Sequence, residues 1–195
     1  MTAVSVIAPI AAPTDAELLA RFAGGDRAAL DELFRRYRAV AYRVAYRLLG
    51  READALDAVQ DAFIKALTHL DRFRGHSSFK TWLLRIVSNA SLDLGRQRKR
   101  EGWNDRPAAR PDPAEPDNLP PPGAGLERAD LRRAIDSALA RLPAAQRQTF
   151  VLHVDGELSY REVAEALGIS IGTVMSRLFY ARQKLKTLLA DQIHP

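Results

Sequence analysis

Between Ile171 and Ala190 the chain carries Arg177, Arg182, Lys184 and Lys186 and no acid, so this stretch attracts phosphate along its length. Val174, Leu178, Ala181, Leu185 and Leu188 recur at spacings of three and four, the stripe by which a helix joins a core. Thr173, Met175, Ser176, Arg177, Phe179, Tyr180 and Lys184 fall off that stripe. A helix presenting such a face is sized for a DNA major groove. A second set has the opposite charge. Asp57, Gln60 and Asp61 stand at i, i+3 and i+4, a compact polar patch suited to basic partners, although a solvated helix face looks the same when taken alone. Catalytic patterns are missing: there is no Gly-Lys phosphate loop and no His-Glu-x-x-His, and the four histidines lie apart at 69, 76, 153 and 194. The expectation is binding, with no catalytic residue, no metal and no cofactor.

The basic helix needs a frame, and the residues before it supply one. Ser159 and Glu162 have the spacing of a capping box, Gly168 permits a sharp turn, and Ser170 can cap the next helix through its side-chain oxygen. From Leu158 to Leu189 this reads as a helix-turn-helix. An ordinary helical hairpin with a solvated basic face shares the periodicity. The cap, the turn glycine, the small Ala164 and the basic face occurring together favour the DNA reading.

Helical periodicity also runs from Asp15 to about Lys99, opening with Leu18, Leu19 and Phe22 and continuing through Leu30, Leu33, Phe34 and Tyr37. Gly24-Gly25, Gly50 and Gly75 punctuate it, which predicts four helices. Seven prolines then crowd the segment from Arg106 to Gly125, together with Asp112, Glu115 and Asp117 against Arg110. That composition gives an acidic, extended linker, because proline there removes donors and breaks helices. About 18 residues in polyproline form reach roughly 55 Å. Helical spacing resumes at Leu131, Ile135, Leu139 and Leu142, with a stop at Pro143 and a turn at Asp155-Gly156. The expected organisation is all-α: a flexible tail at 1–14, a helical domain at 15–102, the linker at 103–125 and a second helical domain at 126–192. A chain of 195 residues with 47% apolar content can bury two such cores. The net charge of +5 matters only where it clusters. The absence of cysteine excludes disulfides and thiolate metal sites. No apolar run reaches the roughly 18 to 20 residues of a membrane span, and the stretch Ala3 to Pro13 lacks the basic start of a signal peptide, so a cytoplasmic location is expected.

Two motifs in fixed order resemble those of bacterial RNA polymerase sigma factors of the sigma-70 family, in its short extracytoplasmic-function group. The first is Asp57-Ala58-Val59-Gln60-Asp61-Ala62-Phe63, continuing through Leu70-Asp71-Arg72-Phe73-Arg74-Gly75 to Ser78-Phe79-Lys80-Thr81-Trp82-Leu83. The second is Gly172-Thr173-Val174 with Ser176-Arg177-Leu178 and Ala181-Arg182. The resemblance implies a sigma-2-like helical bundle and a sigma-4-like helix-turn-helix domain joined by the linker. It implies that the helix bearing Asp57, Gln60 and Asp61 docks on the clamp helices of core RNA polymerase. The segment from Phe73 to about Arg100 would then read and hold open the minus-10 promoter element. Melting needs a pocket that captures an unpaired base. His76 and Ser77 can supply its rim, Phe73 a stacking face and Asn89 an amide, while Arg96, Arg98, Lys99 and Arg100 suit phosphates, or are simply a solvated basic surface. Trp82, set among Phe79, Leu83, Ile86 and Val87, reads more simply as core.

By the same resemblance the helix with Thr173, Met175, Ser176, Arg177, Phe179, Tyr180 and Lys184 reads the minus-35 element. Met175 and Tyr180 stand where many relatives carry basic residues, a departure that removes two direct or phosphate contacts and leaves the recognised sequence open, since such helices also read DNA shape. Two elements about 17 base pairs apart are separated by roughly 58 Å, which the linker can span, either as a spacer or as an acidic strand in the polymerase channel. The implied partners are core RNA polymerase through its clamp helices and flap, promoter DNA, and an anti-sigma factor. Two other readings use the same residues: a stand-alone helix-turn-helix regulator whose first domain senses a ligand, and a helical adaptor that binds no DNA. The first predicts a dimer on paired half-sites, the second no salt-dependent DNA affinity.

Overall fold

The computed structural model describes residues 12–101 and 124–193, with the backbone alone for 124–129 and 191–193. The tail as far as residue 11 and the linker from 103 to 123 lie outside the described residues. Every regular element among the described residues is helical, as the periodicity predicts: α1 Asp15–Ala23, α2 Arg27–Leu49, α3 Glu52–Thr68, α4 Phe79–Arg100, α5 Ala124–Ala140, α6 Ala144–Val154, α7 Tyr160–Leu167 and α8 Ile171–Ile193. A 3-10 turn, Leu70–Arg72, precedes α4. The four helices expected between residues 15 and 99 are α1 to α4.

Contacts divide the chain into one unit that ends at Tyr37 and another that begins at Arg38. In the first, Thr14 and Glu17 form a capping box at the start of α1. Asp15 accepts from the Tyr37 hydroxyl and pairs with Arg36 at 2.6 Å, which fixes α1 to the first half of α2 over a core of Leu18, Leu30 and Leu33.

In the second unit, α3 buries Ala55, Ala58, Ala62 and Ala66, and this stripe of small side chains admits α4 at close range. From α4, Phe79, Leu83, Leu84 and Val87 fill the space, and the buried hydroxyl of Ser91 donates back to the Val87 carbonyl at 2.8 Å. A separate cluster joins Ala138, Leu139 and Leu142 of α5 and the loop after it to Ala181, Leu185 and Leu188 of α8. Leaving these residues unpacked would expose the stripe that makes α8 a helix of the core.

The turn between α7 and α8 forms as its residues dictate. Ser159 Oγ accepts from the Glu162 amide at 3.3 Å while the Glu162 carboxylate accepts from the Ser159 amide at 2.8 Å. Gly168 closes α7 at φ +64, a left-handed angle that costs a side-chain-bearing residue about 1 kcal/mol. Ser170 Oγ then accepts from the Thr173 amide at 3.1 Å and caps α8.

Candidate functional site

Three surfaces carry the residues singled out by type and spacing. The first is the outer face of α3. Asp57, Gln60 and Asp61 are all exposed there, and no hydrogen bond or ion pair engages them among the described residues. Leu56, Ile64 and Leu67 lie on the same face and are about half exposed. Sequence reasoning missed these three. Their signal was that they fall opposite the alanine stripe, so a helix that buries alanine must leave its large apolar residues outside. The surface is therefore acidic and apolar at once, suited to a partner that offers both cations and an apolar contact.

The second surface is α4 and the loop before it. Phe73 is half-buried, with its ring centroid 5.9 Å from Phe79 and 5.3 Å from Trp82. Trp82 lies 5.8 Å from Phe79 and is itself half-buried, so it packs in an aromatic cluster that supports the loop. His76 is exposed and Ser77 half-buried beyond it. The four cations at the end of α4 have different surroundings. Arg96 pairs with Asp93 at 3.1 Å on the surface, whereas Arg98 reaches the buried Asp54 of α3 at 3.4 Å and Glu101 at 3.8 Å. Lys99 and Arg100 are exposed, and no acid pairs with them among the described residues. A phosphate approaching this end meets Lys99 and Arg100 as its open cations; Arg98 holds α4 to α3.

Asn89 is exposed toward one side of α4, and its side-chain carbonyl accepts from Gln148 of α6 at 3.4 Å. That contact belongs to a wider seam. Gln148 also donates to Ser88 at 3.2 Å, and Thr81 donates to Glu162 at 3.3 Å. Burial alone would raise the Glu162 carboxyl, but hydrogen bonds from Ser159 and Thr81 and the nearby Lys80 charge outweigh it and hold Glu162 below the usual range. Next to it, Arg43 and Lys80 meet Glu157 at 2.9 and 3.6 Å, and Arg47 pairs with Asp155 at 3.1 Å and with Asp136. Burial raises the Asp155 carboxyl, and Arg47 and Arg43 pull it back only in part. Gly156 sits where a Cβ would lie 2.5 Å from the Leu152 carbonyl and 3.2 Å from Leu84 of α4, so only glycine fits. No sequence signal pointed to this seam, because its partners lie 59 to 114 residues apart.

The third surface is α8. Met175, Phe179 and Tyr180 are 55, 56 and 60% exposed, Ser176 and Lys184 are exposed as well, and Thr173 and Arg177 are half-buried at its edges. The stripe from Val174 to Leu188 is buried, so the orientation read from the sequence is the one found. The Phe179 and Tyr180 rings meet edge to face, 5.4 Å apart at 78°.

No group of residues able to hold a metal occurs among the described residues, and no helix there is long and apolar enough to cross a membrane.

The chain matches the family described as Sigma-70 region 2 over residues 33–101 and that described as Sigma-70, region 4 over residues 132–185. It is similar to the ECF RNA polymerase sigma factor SigM of Mycobacterium tuberculosis, 38% identical over 178 residues that span 90% of this chain and 85% of that one. It is also similar to the ECF RNA polymerase sigma factor SigE of Mycolicibacterium smegmatis, 37% identical over 178 residues, 86% of this chain and 65% of that longer protein. Among solved structures, the sigma factor RpoE in complex with the anti-sigma factor NepR from Bartonella quintana superposes with a TM-score of 0.62 at 28% identity, over 82% of this chain and 97% of that one.

Proposed function

The chain belongs to the extracytoplasmic-function group of RNA polymerase sigma factors and is an alternative sigma factor for transcription initiation, and from that premise we propose how its three surfaces divide the work. Region 2, residues 15–102, takes core polymerase and the minus-10 element. The acidic and apolar face of α3, with Asp57, Gln60 and Asp61, docks on the clamp helices of the large subunit. Exposure without internal partners supports this, since these carboxylates need lose only water to meet cations. His76, Ser77 and Asn89 receive an unpaired base beside Phe73, and Lys99 and Arg100 hold the backbone with Arg96, while Arg98 keeps α4 on α3.

Region 4, residues 126–192, reads the minus-35 element with Thr173, Met175, Ser176, Arg177, Phe179, Tyr180 and Lys184 and meets the polymerase flap. The linker at 103–125 spans the distance between the elements. The factor itself catalyses nothing: it binds and positions DNA while polymerase performs the chemistry, in the cytoplasm. An anti-sigma factor holds it in reserve, a partner that the likeness to the RpoE structure supports. The observation that carries the reading is the pairing of an open acidic face in the region 2 match with an open basic face in the region 4 match.

Run-off transcription with purified core polymerase and genomic promoter fragments tests it. Discrete new transcripts sharing two upstream elements are expected only when the factor is added. Specific duplex binding by the chain alone, with no transcript, would return the assignment of these surfaces to that of a stand-alone regulator.

A further inference from the structure

We propose that the recognition helix reads thymine methyl groups, with Met175 and Phe179 as the residues that touch them. This rests on the reading of α8 as the minus-35 reader and names the feature of DNA that it selects. Large apolar side chains are costly to leave in water, yet Met175, Phe179 and Tyr180 stand together on the outward face of α8, each more than half exposed. Ile171 extends the patch at 47% exposure, one turn before Met175.

The occupant of such a patch is fixed by its rim. Arg177 lies at its edge, Arg182, Lys184 and Lys186 are exposed on the turns that follow, and no acid occurs from Ile171 to Ala190, so the surface that covers it is apolar in small spots and anionic beside them. A DNA major groove has that character at thymine, whose C5-methyl is the apolar group the bases present there, between two lines of phosphates. Gly172 and Ser176 lie on the same outward face, and a Cβ on Gly172 would meet nothing nearer than Ser170 Oγ at 3.8 Å. The small residues leave room for base edges to come close. Met175 and Phe179 are one turn apart, about 5 to 6 Å between Cβ atoms, which spans one or two base steps of about 3.4 Å. Tyr180, edge-on against Phe179 at 5.4 Å, limits the swing of the ring. The preferred element therefore carries neighbouring thymines on one strand under this turn of the helix.

The experiment uses holoenzyme assembled from core polymerase and the full chain. A duplex with a randomised upstream element is first selected for tight binding. Each thymine of the selected element is then replaced by deoxyuridine, which deletes the methyl and keeps every hydrogen-bonding group. Wild type should bind about fourfold more weakly for each contacted methyl removed. Met175→Ala and Phe179→Ala should abolish that discrimination. Arg177→Ala should weaken both duplexes equally and keep the ratio. These side chains are exposed or at the edge of the face, so the fold survives their loss.

A wild-type ratio of one, or a selected element without thymine, overturns the proposal, and if Arg177→Ala still weakens binding the recognition-helix reading stands without it. A ratio of one together with no effect of Arg177→Ala or Ser176→Ala overturns both. Methyl discrimination that persists unchanged in Met175→Ala and Phe179→Ala would assign it to other residues and also overturn the proposal.

Discussion

Arg47→Met should cost about 2 kcal/mol, and the loss should depend on Asp155. Arg47 is 25% exposed, and its two acids, Asp136 and Asp155, are 29 and 14% exposed. A fully exposed pair contributes about 0.2 to 1 kcal/mol, while removing one partner of a buried pair costs about 3 to 5 kcal/mol. This triad lies between those limits, and its larger burden falls on Asp155, the more buried acid. Methionine keeps most of the aliphatic stem, so the loss reports charge rather than packing.

The pH dependence has a defined sign. The Asp155 carboxyl is raised by burial, with Arg47 the leading opposing charge. A raised acid contributes stability at low pH that is lost as pH rises through its folded pKa. Removing Arg47 lets the Asp155 pKa rise further, so the cost of Arg47→Met should be larger at pH 8 than at pH 5. Urea unfolding of wild type, Arg47→Met, Asp155→Asn and the double variant measures both effects. In the Asp155→Asn background the cost should fall by more than half, because only the more exposed Asp136 is then left unpaired. Equal losses in the two backgrounds, or a loss independent of pH, would refute the assignment of this contact.

Asp61→Arg places a cation in the open acidic face of α3 and should reduce capture of core polymerase at least tenfold in a pull-down, without changing the melting temperature; unchanged capture removes α3 from the interface. Gly156→Ala forces a Cβ against the Leu152 carbonyl and should destabilise by about 2 to 3 kcal/mol, more than the roughly 1 kcal/mol expected at Gly168, where the angle is strained but the space is open; calorimetry of both variants ranks them. Arg147 has a buried Nε with no hydrogen-bond partner, and burial without a counter-charge pushes its pKa down. Arg147→Met should therefore stabilise by about 1 kcal/mol after solvent screening, a rise of about 2 to 4 °C in Tm, and a fall in Tm would mean that the guanidinium has a stabilising role.

What the sequence made legible was local. Ser159, Glu162, Gly168 and Ser170 act within four residues of their partners, so their spacing alone sets the turn, and the α8 stripe sets which side faces out. The spacing of Asp57, Gln60 and Asp61 likewise placed them on one face of α3, and the structure leaves that face exposed. The basic run from Arg96 to Arg100 was not resolvable in the same way. Four cations of one type look alike in a sequence, but Arg98 is taken up by Asp54, 44 positions away, and Arg96 by Asp93. Phe73 was read as a stacking face and Trp82 as core; the structure also packs the two rings on each other, a contact the sequence did not show because a loop aromatic finds its neighbour only when the chain closes. Arg47 carried no mark at all. An arginine in the middle of a helix is ordinary, and its pairing with Asp136 and Asp155 depends on the approach of elements about 90 to 110 residues later.

The seam on α4 bears on how the factor works. Asn89 accepts from Gln148 through its side-chain carbonyl and keeps its amide N–H groups, while Thr81 and Ser88 on the same helix are held by Glu162 and Gln148. The seam joins α4 to α6 and α7, the helices that carry α8, whereas the proposed reading gives α4 and α8 promoter elements roughly 58 Å apart. On that reading the seam opens before both surfaces engage DNA. Its construction suits that step. Besides the approach of Gly156 to Leu84 it contains hydrogen bonds and partly screened ion pairs, each worth about 1 kcal/mol or less net. An apolar interface of the same extent would resist opening by the full transfer cost of its surface. Variants that weaken it, Arg47→Met foremost, should bind core polymerase no worse than wild type while losing stability, and a parallel loss of both would show that the closed contact shapes the polymerase-binding surface instead of covering it.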